Sequence, residues 1–277
     1  MSTPPAGATK AILFLGATGG VAFAALRRSL AANHTCIALC RNPATLTTAL
    51  LAGDSSQDAN TTTTTTTLPA NLTIIQGNAH DSGVLASSCL RHPSDPSRLV
   101  DAIVFSIGGK PTLKGLDDPH VCERGMTALL EALRTLRKEG ADNNKPTGNP
   151  RLIAVSSTGV GTLGRELPWA MVPMYKLLLG AAHKDKAVME KLVIDAGKNG
   201  DGEQALVSWT IIRGSLYTNG PATEGKVRAG WEDPVAGTRG DVPIGYTISR
   251  EDLGKWVYEN CIEGGDEWVG KVAVVTY

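Results

Sequence analysis

Residues Ala11 to Arg41, AILFLGATGGVAFAALRRSLAANHTCIALCR, leave few folds open to this chain. The run Ala11-Ile12-Leu13-Phe14-Leu15 has the length and composition of a strand buried on both faces. Gly16-Ala17-Thr18-Gly19-Gly20-Val21-Ala22 follows without a spacer. A helical pattern comes next, with Val21, Ala24, Ala25 and Leu30 apolar and Arg27 and Arg28 at its polar end. A second apolar run, Cys36-Ile37-Ala38-Leu39-Cys40, closes the unit. Strand, glycine turn, helix and strand form a βαβ crossover, which offers the N–H groups of a helix N-terminus to the diphosphate of a dinucleotide. In the G-x-x-G-x-x-G spacing Gly16 permits the sharp exit from the strand and Gly19 the close approach to the diphosphate. Ala22 takes the third place, where helix packs on strand. The expected contacts from this turn are Gly16, Thr18, Gly19, Gly20 and Val21.

The second strand bears on which dinucleotide. An NAD site sets Asp or Glu near the end of this strand to hold the ribose 2′-hydroxyl, whereas an NADP site offers Arg. Here the end reads Ala38-Leu39-Cys40-Arg41-Asn42-Pro43, with no carboxylate. Arg41 has the planar fork that pairs with a 2′-phosphate, so NADP(H) is the expected cofactor. Two further loops fall at the same sheet edge. Asn78, in Gly77-Asn78-Ala79-His80-Asp81, reads either as an adenine contact or as a turn-maker. Ser106, Ile107 and Gly108 follow the apolar run Asp101 to Phe105 and are small enough to admit the ribose and nicotinamide arm.

Composition narrows the partners. The 277 residues carry 27 Lys and Arg against 27 Asp and Glu, a net charge of zero that argues against nucleic acid or an anionic membrane as main partner. No apolar run approaches the ~20 residues of a membrane span. MSTPPAGATK has no signal-peptide core, and the five cysteines form no CxxC pair, so a cytoplasmic protein with reduced thiols and no metal site is expected.

The chain reads as one NAD(P)-binding domain over residues 1–277, an α/β doubly wound parallel sheet of about seven strands. The core covers about 10–212 and 248–277, with a small substrate lobe at about 164–180 and 213–247. Residues 53–70, GDSSQDANTTTTTTTLPA, cannot bury a core and read as a flexible insertion. Helices are expected over Ser82 to Arg91, Asp118 to Lys138 and Ala181 to Ala196, the last with Val188, Leu192 and Val193 inward. Asn42, Asp81 and Ser249 are expected helix caps. Residues Thr218 to Thr247 show no long periodic segment, and Trp268 to Tyr277 reads as an edge strand. Leu152 to Val155 is a strand ending in Ser156-Ser157-Thr158, hydroxyls where this architecture places chemistry.

The chain resembles the atypical short-chain dehydrogenase/reductases, in the NAD(P)H-binding group with NmrA-like proteins and flavin/biliverdin reductases. The likeness lies in GATGG at Gly16 to Gly20, CRNPATL at Cys40 to Leu46, GNAHD at Gly77 to Asp81, SSTGVG at Ser156 to Gly161, HKDKAVME at His183 to Glu190 and ISREDL at Ile248 to Leu253. Its composition and threonine run are similar to those of fungal secondary-metabolism members. The resemblance implies a Rossmann core and NADPH lying across the carboxyl edge of the sheet. It also implies a Tyr that moves the proton and a Lys four residues later that holds the nicotinamide ribose. Lys186 matches the Lys, but the Tyr place holds Ala182, and Tyr175-Lys176 has the wrong spacing.

Three readings follow. In the first, the protein is an NADPH-dependent oxidoreductase reducing a carbonyl, imine or activated double bond of a small organic substrate. Ser157 orients the substrate, Lys186 holds the ribose and His183 replaces the missing acid, against the plainer reading of His183 as a solvated helix-start residue. Glu166, Tyr217 and Asp241 are less specific candidates. In the second, NADP(H) is a scaffold for a non-redox isomerase or cyclase. In the third, the protein is an NmrA-like redox sensor without turnover. The long helices offer a homodimer interface.

Overall fold

The computed structural model describes residues 9–52, 67–109, 111–112, 115–138, 146–198, 206–223 and 226–277. Most of the threonine-rich insertion, at 53–66, and part of the polar loop at 139–145 lie outside these residues. Strand β1, Ala11–Leu15, pairs in parallel with β2, Thr35–Cys40, on one side and β4, Ala102–Phe105, on the other. Beyond β2 lies β3, Leu72–Gln76; beyond β4 lie β5, Arg151–Ser157, and β6, Ser208–Gly214, all parallel. The parallel order is completed by β9, Lys271–Thr276, beside β6. The chain thus leaves β3 and crosses over β1 to form β4. This is the reversal at which doubly wound sheets open a crevice at their carboxyl edge.

Helices cover both faces, as a parallel sheet requires. On one face lie α3, Val121–Lys138, and α5, Gly180–Lys198; on the other lie α1, Gly20–Ala31, and α6, Arg250–Val257. Strand β1 is fully buried and splits its side chains accordingly. Ala11, Leu13 and Leu15 join the first core; Ile12 and Phe14 join the second. Asn42 caps α2, Pro43–Leu51, by accepting from the Ala44 N–H at 3.1 Å. Ser249 caps α6 through the Asp252 N–H at 2.9 Å, and Asp81 caps a single turn through the Val84 N–H at 3.1 Å. Helix α4, Val172–Leu178, is short and carries Pro173 in its first turn.

Four elements depart from the sequence reading. The helix expected over Ser82 to Arg91 is one turn, Ser82–Val84, continued by a π turn, Leu85–Cys89. The wider turn sends Leu85, Cys89 and Leu90 all into the core. Helix α5 buries Val193 and half-buries Leu192 as expected, but Val188 is exposed, while Asp185, Met189 and Glu190 are buried. The two acids turn inward because they have partners there. Asp185 accepts from the Cys122 and Glu123 N–H groups at 2.8 and 2.9 Å, capping α3. The final strand is not an edge, because β7, Arg228–Asp233, pairs with it antiparallel and β8, Thr238–Arg239, extends the sheet to nine strands. Strand β7 hides its period-two pattern, since its inward residues are Gly230 and Glu232.

Helix α6 presses on α1 through Gly254. A Cβ there would stand 2.4 Å from the Ala24 Cβ and 2.8 Å from the Val21 carbonyl oxygen. Alanine gains about 1 kcal/mol over glycine in a helix interior, but overpacking against backbone costs about 1–3 kcal/mol. We therefore expect Gly254→Ala to lower the denaturant midpoint; an unchanged or raised midpoint would show that the two helices are not in close contact.

Candidate cofactor and active site

The carboxyl ends of β1 and β4 meet at Gly16. Its φ is +90°, and a Cβ there would lie 2.4 Å from the Ser106 carbonyl oxygen, so only glycine fits. Gly20 opens α1 with φ +67°. A Cβ on Gly19 would meet nothing within 4 Å, so this backbone faces open space. No side chain caps α1 and no acid stands in its first turn. Its leading N–H groups and the positive end of its dipole are therefore open to an anion. Ala22, in the third place of the spacing, is fully buried, and its methyl fits where helix meets strand. These features fit the diphosphate of a nicotinamide dinucleotide.

The remaining expected cofactor residues lie along the same edge. Thr18 is exposed on the turn and Val21 is buried beneath it. Arg41 is exposed immediately after β2. Asn78 is exposed too, and its Oδ1 accepts from the His80 N–H at 3.1 Å, so it makes a turn. Ser106 and Ile107 are half-buried and Gly108 is exposed, directly after β4.

A second group gathers where β5 ends. Ser157 is 8% exposed, and its Oγ donates to the Thr158 carbonyl at 3.3 Å. Lys186, on α5, reaches back to donate to the Val155 carbonyl at 3.1 Å. His183, one turn earlier on the same helix, is half-buried with no hydrogen-bond partner for Nε2 among the described residues. Burial first, and then the Lys186 charge, pull its pKa below the ordinary imidazole value. Tyr175 of α4 completes the group. It is buried, its ring centroid is 5.3 Å from that of His183, and its hydroxyl lies 3.5 Å from Thr158 Oγ1. Spacing along the chain had set Tyr175 aside; the fold of 168–183 brings it back through space. Of the less specific candidates, the Tyr217 hydroxyl donates to the Ser156 carbonyl, and Asp241 is exposed.

Glu166 belongs to a buried cluster that sequence reasoning missed. Arg213 Nη1 binds Glu166 at 2.6 Å and Glu232 at 2.7 Å, while its Nε and Nη2 bind Glu190 at 3.0 and 2.6 Å. Glu166 also accepts from the Gly159 N–H at 2.7 Å, holding the loop that carries Ser157 and Thr158. Three carboxylates face one guanidinium. Burial pushes the Glu166 carboxyl above the ordinary range, against the pull of Arg213 and Gly159. Burial alone would lower the Arg213 pKa, but its carboxylate partners outweigh burial and keep it charged.

Fold and site together define a dinucleotide-binding protein of the doubly wound class. The comparisons with known proteins make this specific: the chain belongs to the NAD(P)H-binding family, whose profile matches residues 16–262. Reductase pytE of Aspergillus terreus is 37% identical over 277 residues, covering 96% of this chain and 97% of that protein. Oxidase pynE of Aspergillus niger is 31% identical over 287 residues, covering 96% and 98%. Among solved structures the fold is similar to ChuY, an anaerobilin reductase from Escherichia coli O157:H7. The TM-score is 0.58 at 18% identity, with 96% of each chain covered. Among the described residues no helix is long and apolar enough to cross a membrane.

The cluster carries a pH signature. With its pKa raised in the folded protein, Glu166 binds its proton more tightly there than in the unfolded chain. The stability it contributes is present in acid and is lost as pH rises through the raised value. Glu166→Gln keeps an acceptor for Gly159 and removes the titration. We expect its midpoint to fall less than the wild type's between mildly acidic and neutral pH; parallel profiles would show that Glu166 titrates normally.

Proposed function

We propose that this chain is an NADP(H)-dependent oxidoreductase that reduces a carbonyl, imine or activated double bond in a small secondary-metabolite substrate. The reading is carried by the reach of Lys186 to the Val155 carbonyl, two residues before Ser157 at the end of β5, on the same sheet edge as the uncapped start of α1. The names of the two fungal relatives, a reductase and an oxidase, support redox use of the cofactor.

In this reading Gly16, Thr18, Gly19, Gly20 and Val21 hold the diphosphate, Arg41 the 2′-phosphate, and the Nδ2 amide of Asn78, whose Oδ1 makes the turn, the adenine. Ser106, Ile107 and Gly108 border the second ribose. Hydride is what NADPH supplies when bound. The Lys186 ammonium, now on a backbone carbonyl, turns its remaining N–H bonds to the nicotinamide ribose hydroxyls. Ser157 Oγ donates to the substrate oxygen and fixes the face that is attacked. His183 Nε2 delivers the proton that completes the alcohol or amine, because Ala182 offers only a methyl where a phenol would stand. Tyr175, with its pKa raised chiefly by burial, stays protonated and packs the imidazole in place. The vacant phenol place also supports a second reading, in which the cofactor is held without turnover. Consumption of NADPH with a panel of quinones, flavins and aldehydes separates the two.

Two outcomes test the assignments. A charge-assisted pair contributes about 1.5 kcal/mol or more, so Arg41→Ala should cut the preference for NADPH over NADH roughly ten-fold. An unchanged ratio would remove Arg41 from the site. Because His183 protonates only below the ordinary imidazole range, turnover should climb as pH falls below neutrality. His183→Ala should flatten that limb, and an identical pH-rate profile would exclude His183 as the donor.

A further inference from the structure

Arg250 is a half-buried guanidinium placed at the glycine turn, with no acidic partner among the described residues. It is the first residue of α6, and α6 lies against α1 at Gly254, so the two helices begin side by side. The Arg250 stem runs past Gly20: a Cβ built on Gly20 would lie 3.5 Å from Arg250 Cδ and 3.8 Å from Nε. Among the described residues the guanidinium is held by neutral groups. Nη1 donates to Asn219 Oδ1 at 2.8 Å and to the Tyr217 carbonyl at 3.4 Å. The cation also stands over the Tyr217 ring, 5.7 Å from its centroid.

The nearby carboxylates are committed elsewhere. Glu251 pairs with Arg27 at 2.8 Å and Arg28 at 2.6 Å. Asp252 accepts from Ser249 Oγ, from the N–H and hydroxyl of Thr223, and from Tyr277. Among the described residues, no carboxylate reaches Arg250. The turn itself, Gly16 to Phe23, has no basic residue, and the first one after it, Arg27, is already paired. A diphosphate on this turn would therefore meet two negative charges' worth of demand with only backbone N–H groups and the partial charge of one helix end.

We propose that Arg250 is a diphosphate-binding residue. Its guanidinium swings from Asn219 to the phosphate oxygens, supplying from the last helix the cation that the glycine turn lacks. This inference rests on the NAD(P)H reading of the site. It gives Arg250 a role distinct from Arg41: one grips a group common to both nicotinamide cofactors, the other a group that distinguishes them.

Calorimetric titration of the full chain with three probes tests it: NADPH, NADH, and adenosine 2′-monophosphate, which keeps the 2′-phosphate but has no diphosphate. Arg250→Ala should weaken NADPH and NADH by a like factor of about ten-fold. Its affinity for adenosine 2′-monophosphate and its melting temperature without ligand should stay at wild-type values. Arg250→Lys, which keeps the charge and loses the fork, should fall between. If Arg250→Ala proves unstable, the lysine variant alone decides: a wild-type affinity for all three probes overturns the proposal. So does an alanine variant that binds NADPH normally, or one that loses all three probes equally. Wild-type protein that takes up adenosine 2′-monophosphate but neither dinucleotide would overturn the proposal and the NAD(P)H reading together.

Discussion

The contact between Gly16 and the Ser106 backbone sets the geometry of the whole carboxyl edge. It sits at the reversal of strand order, where β1 and β4 run side by side. Because the chain crosses there with no side chain between, α1 begins within a few residues of β1, and its first turn is left without a side-chain cap. A bulkier residue would force the turn away from Ser106. The helix would then start elsewhere, and the Ser106–Gly108 loop would lose its place beside it. The two apolar cores on either side of β1 make this crossing rigid, since neither face of that strand can slip without opening a void.

A second constraint is electrostatic. Arg213 draws together a carboxylate from the loop after β5, one from α5 and one from β7. Leaving a buried charge unpaired costs about 3–5 kcal/mol, more than most single packing defects, so these elements are held in a fixed relation. Through Glu166 the same cluster grips the backbone of Gly159, and through Glu190 it sets the rotation of the helix that carries His183 and Lys186. The end of the crevice that carries His183 and Lys186 is thus positioned by charge pairing, and the proposed cofactor end, at the glycine turn, by backbone approach.

Much of the cofactor end was legible in the sequence and little of the other. The βαβ unit announces itself because a strand, a glycine turn and an amphipathic helix each have strong local signatures, and the caps at Asn42, Asp81 and Ser249 follow from their own neighbours. The apolar face of α3 is likewise a simple period. On α5 the inward acids escape sequence reading, because Asp185 and Glu190 look like solvent residues until their partners, the start of α3 and Arg213, are known. Strand β7 was missed for a related reason: its buried places hold Gly230 and Glu232. Tyr175 belongs to no local pattern, and Arg250, though it stands in the ISREDL stretch, shows nothing there of what it lies against. Their neighbours, His183 and Gly20, come from other elements, and only the fold brings them together.

Whether this edge takes a dinucleotide by its diphosphate is decided by titrating the purified wild-type chain with NADPH and following the heat released. We expect saturable one-to-one uptake that inorganic pyrophosphate competes away. No heat and no saturation with NADPH raised to millimolar concentration would contradict it.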